Sequence, residues 1–115
     1  MESTIDKLPP DLTTLLTPGK LIIFAIRSCP YCERAKKLLK NKGVAYEYIL
    51  CDKLGITRDQ RNQFLEMTGA KTYPRIFIGS KSIGGYNELK ELNSKGLLDK
   101  MLREENIAIY PKPKL

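Results

Sequence analysis

A chain of 115 residues, 42% hydrophobic and 29% charged, has the size and composition of one globular domain with a modest core. It holds no apolar run long enough for a transmembrane helix, and its N-terminus lacks the apolar stretch of a signal peptide, so we expect a cytosolic protein. The net charge of +7 is compatible with anionic partners, but the basic residues alternate with predicted core positions and no nucleic-acid-binding motif is present. We therefore interpret the charge as a solvated basic face.

The residue composition excludes several kinds of catalytic and metal site. The absence of histidine excludes a Cys–His protease, a His-ligated zinc site and imidazole acid–base catalysis. Three cysteines are too few for a four-cysteine zinc site within one chain, and their odd number is untypical of a disulfide-stapled secreted fold. Two of them form Cys29-Pro30-Tyr31-Cys32, and a C-x-x-C pair in a cytosolic α/β chain is typical of redox chemistry or metal binding. Because histidine-dependent catalysis and zinc sites within one chain are excluded, redox chemistry is the favoured interpretation of the cysteine pair.

Hydrophobic periodicity and turn signals divide the chain into helices and strands. The predicted elements, in chain order, are a loose segment 1–10, a short helix over Leu12–Leu16, a strand Leu21–Ile26, a helix Pro30–Lys42, a strand Val44–Leu50, a helix from Thr57 to Gly69, a strand Arg75–Ile78, a strand Lys81–Ile83, a helix from Asn87 to about Lys95, a helix Leu97–Glu104 and a flexible tail 106–115.

Cap residues support several of these boundaries. Asp11 is placed to cap the first short helix, and Gly43 can end the helix from Pro30 in a left-handed conformation. Thr57, with Gln60 three positions on, predicts a capping box. Asn87 is the predicted cap of the helix that follows the glycine pair.

The order of elements predicts an α/β fold. The strand Leu21–Ile26 is apolar on both faces and should be central. A right-handed crossover through the helix from Pro30 makes the next strand parallel to it, whereas Gly79-Ser80 predicts an antiparallel hairpin. The result is a four-stranded mixed sheet with helices on both faces, in one domain over residues 11–105.

The cysteine pair lies between a strand and a helix. The first turn of a helix has backbone N–H groups without partners, and the helix dipole favours negative charge there. A thiolate at Cys29 would accept these hydrogen bonds, so we expect its pKa to fall below the roughly 8.5 of a free cysteine. Cys32 lies one turn further along the same face, so the two sulfurs can close a disulfide and open it again.

Three motifs together resemble the dithiol glutaredoxins of the thioredoxin-like superfamily. They are Cys29-Pro30-Tyr31-Cys32, Thr72-Tyr73-Pro74 and the run from Ile83 through Gly84-Gly85 to Glu88. The likeness covers roughly residues 21–103. Thioredoxins themselves usually carry a Trp-Cys-Gly-Pro-Cys site, and this chain has no tryptophan.

The resemblance implies a glutathione-dependent thiol–disulfide oxidoreductase that reduces protein–glutathione mixed disulfides and protein disulfides. Cys29 is then the nucleophile and Cys32 the resolving thiol. Glutathione is the co-substrate, disulfide-containing proteins are the partners, and we expect a monomer with no metal, nucleic-acid or membrane partner. The resemblance also implies a cis bond before Pro74.

The resemblance implies a glutathione site as well. Its candidate residues are Arg27, Tyr31, Tyr73, Pro74, Arg75, Gly85, Tyr86 and Asn87. The family's T-x-P segment pairs its backbone with the substrate, and the helix after the glycine pair offers N–H groups to the γ-glutamyl carboxylate. Many members carry a cation three positions before the first cysteine, where this chain has Ile26, so the glycyl carboxylate is assigned to Arg27 or Arg75. Tyr73 stands where valine is commoner in the family.

Alternatives remain at the level of the sequence. Some glutaredoxins bind a [2Fe–2S] cluster with the first cysteine and glutathione and act as carriers or sensors, but these mostly lack a proline such as Pro30. Visible absorbance of the fresh protein separates the two functions. A reductant dedicated to one protein is a further possibility. Cys51 is interpreted as a small buried apolar residue rather than a regulatory thiol, and Arg34 and Lys37 as solvated helix charges.

Overall fold

The computed structural model describes residues 5–110, and its elements follow the α/β order expected from the sequence. They are a 3-10 helix Leu12–Leu15, β1 Leu21–Ala25, α1 Pro30–Lys42, β2 Glu47–Leu50, α2 Arg58–Thr68, β3 Arg75–Ile78, β4 Lys81–Gly84, α3 Tyr86–Ser94 and α4 Leu97–Glu104.

The strands form one four-stranded mixed sheet in the order β2-β1-β3-β4. β1 is parallel to β2 and antiparallel to β3, and β3 is antiparallel to β4. All five residues of β1 are buried, which confirms that its continuous apolar run is a central strand. The predicted mixed sheet is therefore confirmed.

Alternating side chains of β1 contribute to a hydrophobic cluster on each face of the sheet. The first cluster lies under α1, α3 and α4 and receives Leu21, Ile23 and Ala25. The second cluster lies under α2 and the 3-10 helix and receives Ile22 and Phe24. In the second cluster the ring of Phe24 is edge-on to Phe64 of α2 and Phe77 of β3, with ring centroids 4.8 and 5.7 Å apart. Burial on both faces fixes the end of β1, from which the chain continues to Cys29.

Several predicted caps are confirmed. Gly43 ends α1 with φ +82°, and its N–H donates to the carbonyls at the end of the helix. Thr57 and Gln60 form a capping box, in which each side chain accepts a hydrogen bond from the other residue's N–H. The Asp11 side chain accepts from the Thr13 N–H, although the helix that it caps is a short 3-10 turn.

The predicted cap of α3 is wrong. The helix begins at Tyr86, one residue before Asn87, and Gly85 is its N-cap. The Glu88 carboxylate accepts a hydrogen bond of 2.7 Å from the Gly85 N–H and so satisfies the amide at the helix entrance. Asn87 therefore belongs to the first helical turn.

Some strand and helix ends also differ from the prediction. β1 ends at Ala25 rather than Ile26, and α3 ends at Ser94. β2 begins at Glu47, and Val44, the predicted first residue of this strand, forms an isolated antiparallel bridge with Ile109. This long-range pairing leaves no signal in the apolar pattern of residues 44–50.

Parts of both terminal segments pack against the domain, while residues 1–4 and 111–115 lie outside the described residues. Leu8 is buried in the second cluster, and the Gln60 side chain donates to the Pro9 carbonyl at 2.8 Å. Ile107 is buried in the first cluster, and the Tyr110 N–H donates to the Gly43 carbonyl at 2.8 Å. Within residues 5–110, none of the helices is both long and apolar enough to cross a bilayer.

A comparison of Gly43 with Gly69 tests the packing of the C-terminal segment. Both glycines cap a helix with positive φ, of +82° and +77°. A Cβ at Gly43 would overlap the Tyr110 carbonyl, whereas a Cβ at Gly69 meets nothing within 4 Å. Gly69→Ala should therefore lower the free energy of unfolding by about 1 kcal/mol, and Gly43→Ala by about 2–3 kcal/mol. Urea unfolding measures both free energies, and equal losses for the two variants would contradict the contact between Gly43 and Tyr110.

Candidate active site

The cysteine pair lies where β1 leads into α1. Cys29 is the N-cap of α1 and Pro30 its first residue, as the sequence predicts. Cys29 and Cys32 form a disulfide with Cα atoms 5.2 Å apart, and the Cys32 N–H lies 3.2 Å from the Cys29 sulfur. Cys32 is fully buried, whereas Cys29 is partly buried at the edge of the first cluster. Cys29 is thus the sulfur that an incoming group can reach.

The loop before Cys29 is fixed by Asp52. The Arg27 N–H donates to both carboxylate oxygens, at 3.1 and 3.2 Å, and the Arg27 Nε donates to Oδ2 at 3.3 Å. Burial acts to raise the pKa of Asp52, but the hydrogen bonds from Arg27 and Lys53 outweigh it and hold this pKa below its usual value. Ser28, with φ +56°, then turns the chain into the helix.

A groove of about 350 Å³ opens beside the cysteine pair. Its lining residues come from the start of α1, the segment before β3 and the start of α3: Tyr31, Thr72, Tyr73, Pro74, Arg75, Gly85, Tyr86, Asn87 and Glu88. The Tyr73–Pro74 peptide bond is cis, as the resemblance implied. The carbonyl oxygen of Tyr73, one of the lining residues, lies 3.9 Å from the Cys29 sulfur, so the groove lies next to the reactive cysteine.

Arg75 and Gly85 bring the two walls of the groove together. The Arg75 Nε donates to the Pro74 carbonyl at 3.0 Å, and a Cβ at Gly85 would lie only 2.9 Å from an Arg75 guanidinium nitrogen. A Cβ there would displace the end of the Arg75 side chain, so glycine allows the guanidinium to approach the backbone this closely. Burial lowers the pKa of Arg75 and the nearby Glu88 carboxylate raises it, and the guanidinium keeps its charge at neutral pH.

The start of α3 faces the same groove. Tyr86 and Asn87 occupy its first turn, where backbone N–H groups have no partner within the helix. Such a helix start suits an anion, since the N–H dipoles and the helix dipole both favour negative charge. Together with the Arg75 cation, it gives the groove two features that suit carboxylates.

Aromatic residues form the outer rim. Tyr31 is 50% exposed, and its ring centroid lies 6.1 Å from that of Tyr86. The Arg34 guanidinium lies 5.0 Å from the centroid of the Tyr31 ring, which is within the range of a cation–π contact. Arg34, predicted as a solvated charge, therefore also contacts the rim.

Tyr73 packs against both hydrophobic clusters. Its ring lies edge-on to Phe64 in the second cluster, with centroids 6.0 Å apart. Burial raises the pKa of the Cys51 thiol to about 12. Cys51 is thus a buried neutral thiol, as expected from the sequence.

Most of the predicted glutathione-site residues meet in the groove, and Arg27 does not. Its side chain is paired with Asp52 and is absent from the groove lining. Thr72 and Glu88 also line the groove and were not among the predicted site residues, although both lie within the motifs found in the sequence. A second cavity of about 350 Å³, lined by residues that include Lys20, Glu47 and Tyr110, lies near the opposite end of β1 and contains none of the predicted site residues.

Comparison with known proteins places the chain in a family. The family model described as glutaredoxin matches residues 21–83. Glutaredoxin 1 of Rickettsia conorii is 40% identical over 92 residues, which cover 79% of this chain and 88% of the relative. Glutaredoxin 3 of Escherichia coli is 37% identical over 81 residues, which cover 70% of this chain and 94% of the relative.

Solved structures support the assignment of the chain to this family. A buckwheat glutaredoxin solved in complex with glutathione superimposes with a TM-score of 0.77 at 35% identity, over 85% of this chain and 88% of that chain. A dithiolic glutaredoxin of Trypanosoma brucei brucei superimposes with a TM-score of 0.71 at 30% identity, over 82% of this chain and 97% of that chain. The chain therefore belongs to the glutaredoxin family, has its thioredoxin-like fold, and is a thiol–disulfide oxidoreductase that works through the Cys29–Cys32 pair.

Proposed function

We propose that this oxidoreductase uses glutathione to reduce protein–glutathione mixed disulfides and protein disulfides. The observation that carries the proposal is the groove next to Cys29, which is lined by the Arg75 cation and the N-terminus of α3. Glutathione is a thiol with two carboxylates, one at each end, and these features match the groove. The buckwheat relative was solved with glutathione.

The γ-glutamyl carboxylate is assigned to the backbone N–H groups of Tyr86 and Asn87, at the start of α3. The glycyl carboxylate is assigned to Arg75 rather than Arg27, because Arg75 lines the groove while Arg27 is paired with Asp52. The middle of the tripeptide then passes beside the backbone of Tyr73 and Pro74, which brings its sulfur next to Cys29.

Reduction of the oxidised pair takes two steps of thiol–disulfide exchange. A glutathione thiolate attacks the accessible Cys29 sulfur, the Cys29–Cys32 bond breaks, and Cys32 leaves as a thiolate that takes up a proton. A second glutathione thiolate attacks the glutathione sulfur of this mixed disulfide and expels the Cys29 thiolate. The enzyme gains two electrons, and two glutathione molecules leave as one glutathione disulfide.

The reduced pair then acts on its substrates. With a glutathionylated protein, the Cys29 thiolate attacks the glutathione sulfur and the protein thiolate leaves, after which a second glutathione regenerates Cys29. With a protein disulfide, Cys29 forms a mixed disulfide with the protein, and the Cys32 thiolate attacks Cys29 and releases the second protein thiol. Cys32 lies one helical turn away and needs no rearrangement to do this.

An assay that couples disulfide reduction to glutathione and glutathione reductase tests the proposal. We expect turnover of a glutathionylated peptide with glutathione as the sole reductant. If the protein turns over only when a different dithiol donor replaces glutathione, the glutathione dependence is wrong, although the oxidoreductase activity stands. The cytosolic location and the monomeric state remain predictions.

The first prediction separates the two active-site cysteines. Cys29→Ser should abolish turnover in every assay, because Cys32 is buried and Cys51 lies in the second cluster. Cys32→Ser should keep most of its activity on glutathione mixed disulfides, where glutathione itself resolves the intermediate, and lose activity on protein disulfides. Steady-state rates with one substrate of each kind measure this, and equal losses for Cys32→Ser in both assays would contradict the mechanism.

The second prediction concerns the acidity of the thiols in the reduced protein. The helix N-terminus at Cys29 should lower the pKa of this thiol, so its alkylation rate should already level off as the pH rises towards neutral. Cys51, with a pKa raised to about 12, should stay unmodified throughout and serve as the internal control. Iodoacetamide labelling followed by peptide mass mapping measures both, and early labelling at Cys32 or Cys51 would show that the roles are misassigned.

The third prediction compares two arginines. Arg75→Ala should raise the KM for glutathione by about ten-fold, the effect of losing one charge-assisted hydrogen bond of about 1.5 kcal/mol, with kcat less affected. Arg27→Ala, the matched control, should leave KM within about two-fold, since exposed ion pairs such as Arg27–Asp52 contribute little. The rise in KM caused by Arg75→Ala should be smaller at moderate salt than at low salt, because salt screens the charge. A larger increase in KM for Arg27→Ala than for Arg75→Ala would show that the glycyl carboxylate binds Arg27 instead of Arg75.

A further inference from the structure

An exposed arginine lies on the outer rim of the groove, beside the cysteine pair. We propose that Arg34, together with the rim tyrosines Tyr31 and Tyr86, forms a docking surface for acidic segments of substrate proteins. The rim would then favour protein disulfides whose reactive cysteine has glutamate or aspartate close to it in the chain. The proposal builds on the oxidoreductase activity and does not depend on the use of glutathione.

The rim connects the cysteine pair with α3. Tyr31 lies between Cys29 and Cys32 in the sequence and is 50% exposed. Its ring centroid lies 6.1 Å from that of Tyr86, and both tyrosines line the groove. A substrate chain that leaves the groove across this rim therefore contacts both rings.

The guanidinium of Arg34 adds a positive charge to the rim. It lies 5.0 Å from the centroid of the Tyr31 ring, and the residue is exposed. Among residues 5–110, no carboxylate lies within ion-pair distance of Arg34. A cation–π contact with the ring face uses none of the five N–H donors of the guanidinium. These donors remain available to a carboxylate of a partner.

The carboxylates closest to the rim in the sequence have other partners. Glu33, which directly precedes Arg34, lies 3.3 Å from the ammonium nitrogen of Lys36. Glu88, two positions after the rim tyrosine of α3, accepts a hydrogen bond of 2.7 Å from the Gly85 N–H. The charge of Arg34 is therefore not neutralised by an ion pair within the described residues, and it attracts an anionic group of a partner.

The position of Arg34 favours a protein chain over a small thiol as the occupant. Arg34 does not line the groove, so a small thiol that fills the groove has no need to reach it. A protein substrate is longer than the groove and can extend over the rim. Lys37, one helical turn beyond Arg34, is also exposed, so positive charge continues along α1 in the direction away from the cysteines.

The test uses a reaction of the reduced protein that needs no glutathione. Its substrate is a short peptide whose single cysteine forms a mixed disulfide with thionitrobenzoate. The Cys29 thiolate attacks the peptide sulfur and expels the coloured thionitrobenzoate anion, after which the Cys32 thiolate attacks Cys29 and releases the peptide thiolate. The protein loses two electrons as its disulfide forms, and the mixed disulfide gains them as two thiols.

Two peptides are compared, with glutamate or with glutamine on both sides of the cysteine. Arg34→Gln should lower the rate constant for the glutamate peptide about four-fold relative to that for the glutamine peptide, because one partly exposed charge contact is lost. A change in the acidity of Cys29 slows both peptides alike and leaves their ratio unchanged. Arg34→Lys should keep part of the preference, since lysine retains the charge but not the planar stacking on the ring.

Arg27→Gln is the matched control, because it removes the same charge from an exposed arginine two positions before Cys29. Arg27 is paired with Asp52 and lies outside the rim, so the ratio of the two rate constants should stay within about two-fold of the parent ratio. An equal fall in this ratio for Arg27→Gln and Arg34→Gln would show that only the overall charge matters and would overturn the docking surface. An unchanged ratio in Arg34→Gln would overturn it as well.

Discussion

The pairing of β1 with β3 is the constraint on which the active site depends. Phe24, near the end of β1, lies opposite Arg75, the first residue of β3. This antiparallel register places the loop that leaves β1 beside the segment that enters β3, so Cys29 and Tyr73 meet although they are 44 positions apart. A shift of one residue would also exchange the faces of β1 between the two hydrophobic clusters, which makes the register costly to alter. The burial that stabilises the fold thus also sets the distance between the reactive sulfur and the groove.

The groove favours negative charge mainly through its backbone. Two helix N-termini, those of α1 and α3, face the region where a thiolate and a carboxylate are expected. Such dipoles are fixed by the fold and do not require a lysine side chain to be ordered when a ligand binds. Nearby carboxylates limit the attraction, since Glu88 bonds the Gly85 N–H and Asp52 pairs with Arg27. The net charge of +7 is therefore a poor guide to the potential in the groove, where Arg75 is the cation among the lining residues.

Local signals in the sequence were sufficient for elements that local interactions define. The helix Pro30–Lys42 and the strand Arg75–Ile78 were predicted with their observed bounds, because Pro30, Gly43 and the turn at Gly79 mark the chain where it changes direction. Asn87 was misassigned, since asparagine is a good cap but the Glu88 side chain fixes the helix start at Gly85. The Val44–Ile109 bridge and the Arg27–Asp52 pair depend on residues that only the tertiary fold brings together. The direction of the Tyr73 side chain likewise depends on space next to Phe64, which no motif encodes.

The three cysteines show how environment gives one side chain different chemistry. Cys29 lies at a helix N-terminus and can be reached from the groove, so a thiolate there is stabilised and accessible. Cys32 lies one turn further on and is buried, so it can exchange with Cys29 but not with an external thiol. Cys51 is buried in the opposite cluster, where a pKa of about 12 keeps it protonated and able to hydrogen-bond. Because a neutral buried thiol is unreactive, a redox enzyme can retain this third cysteine in its core without side reactions.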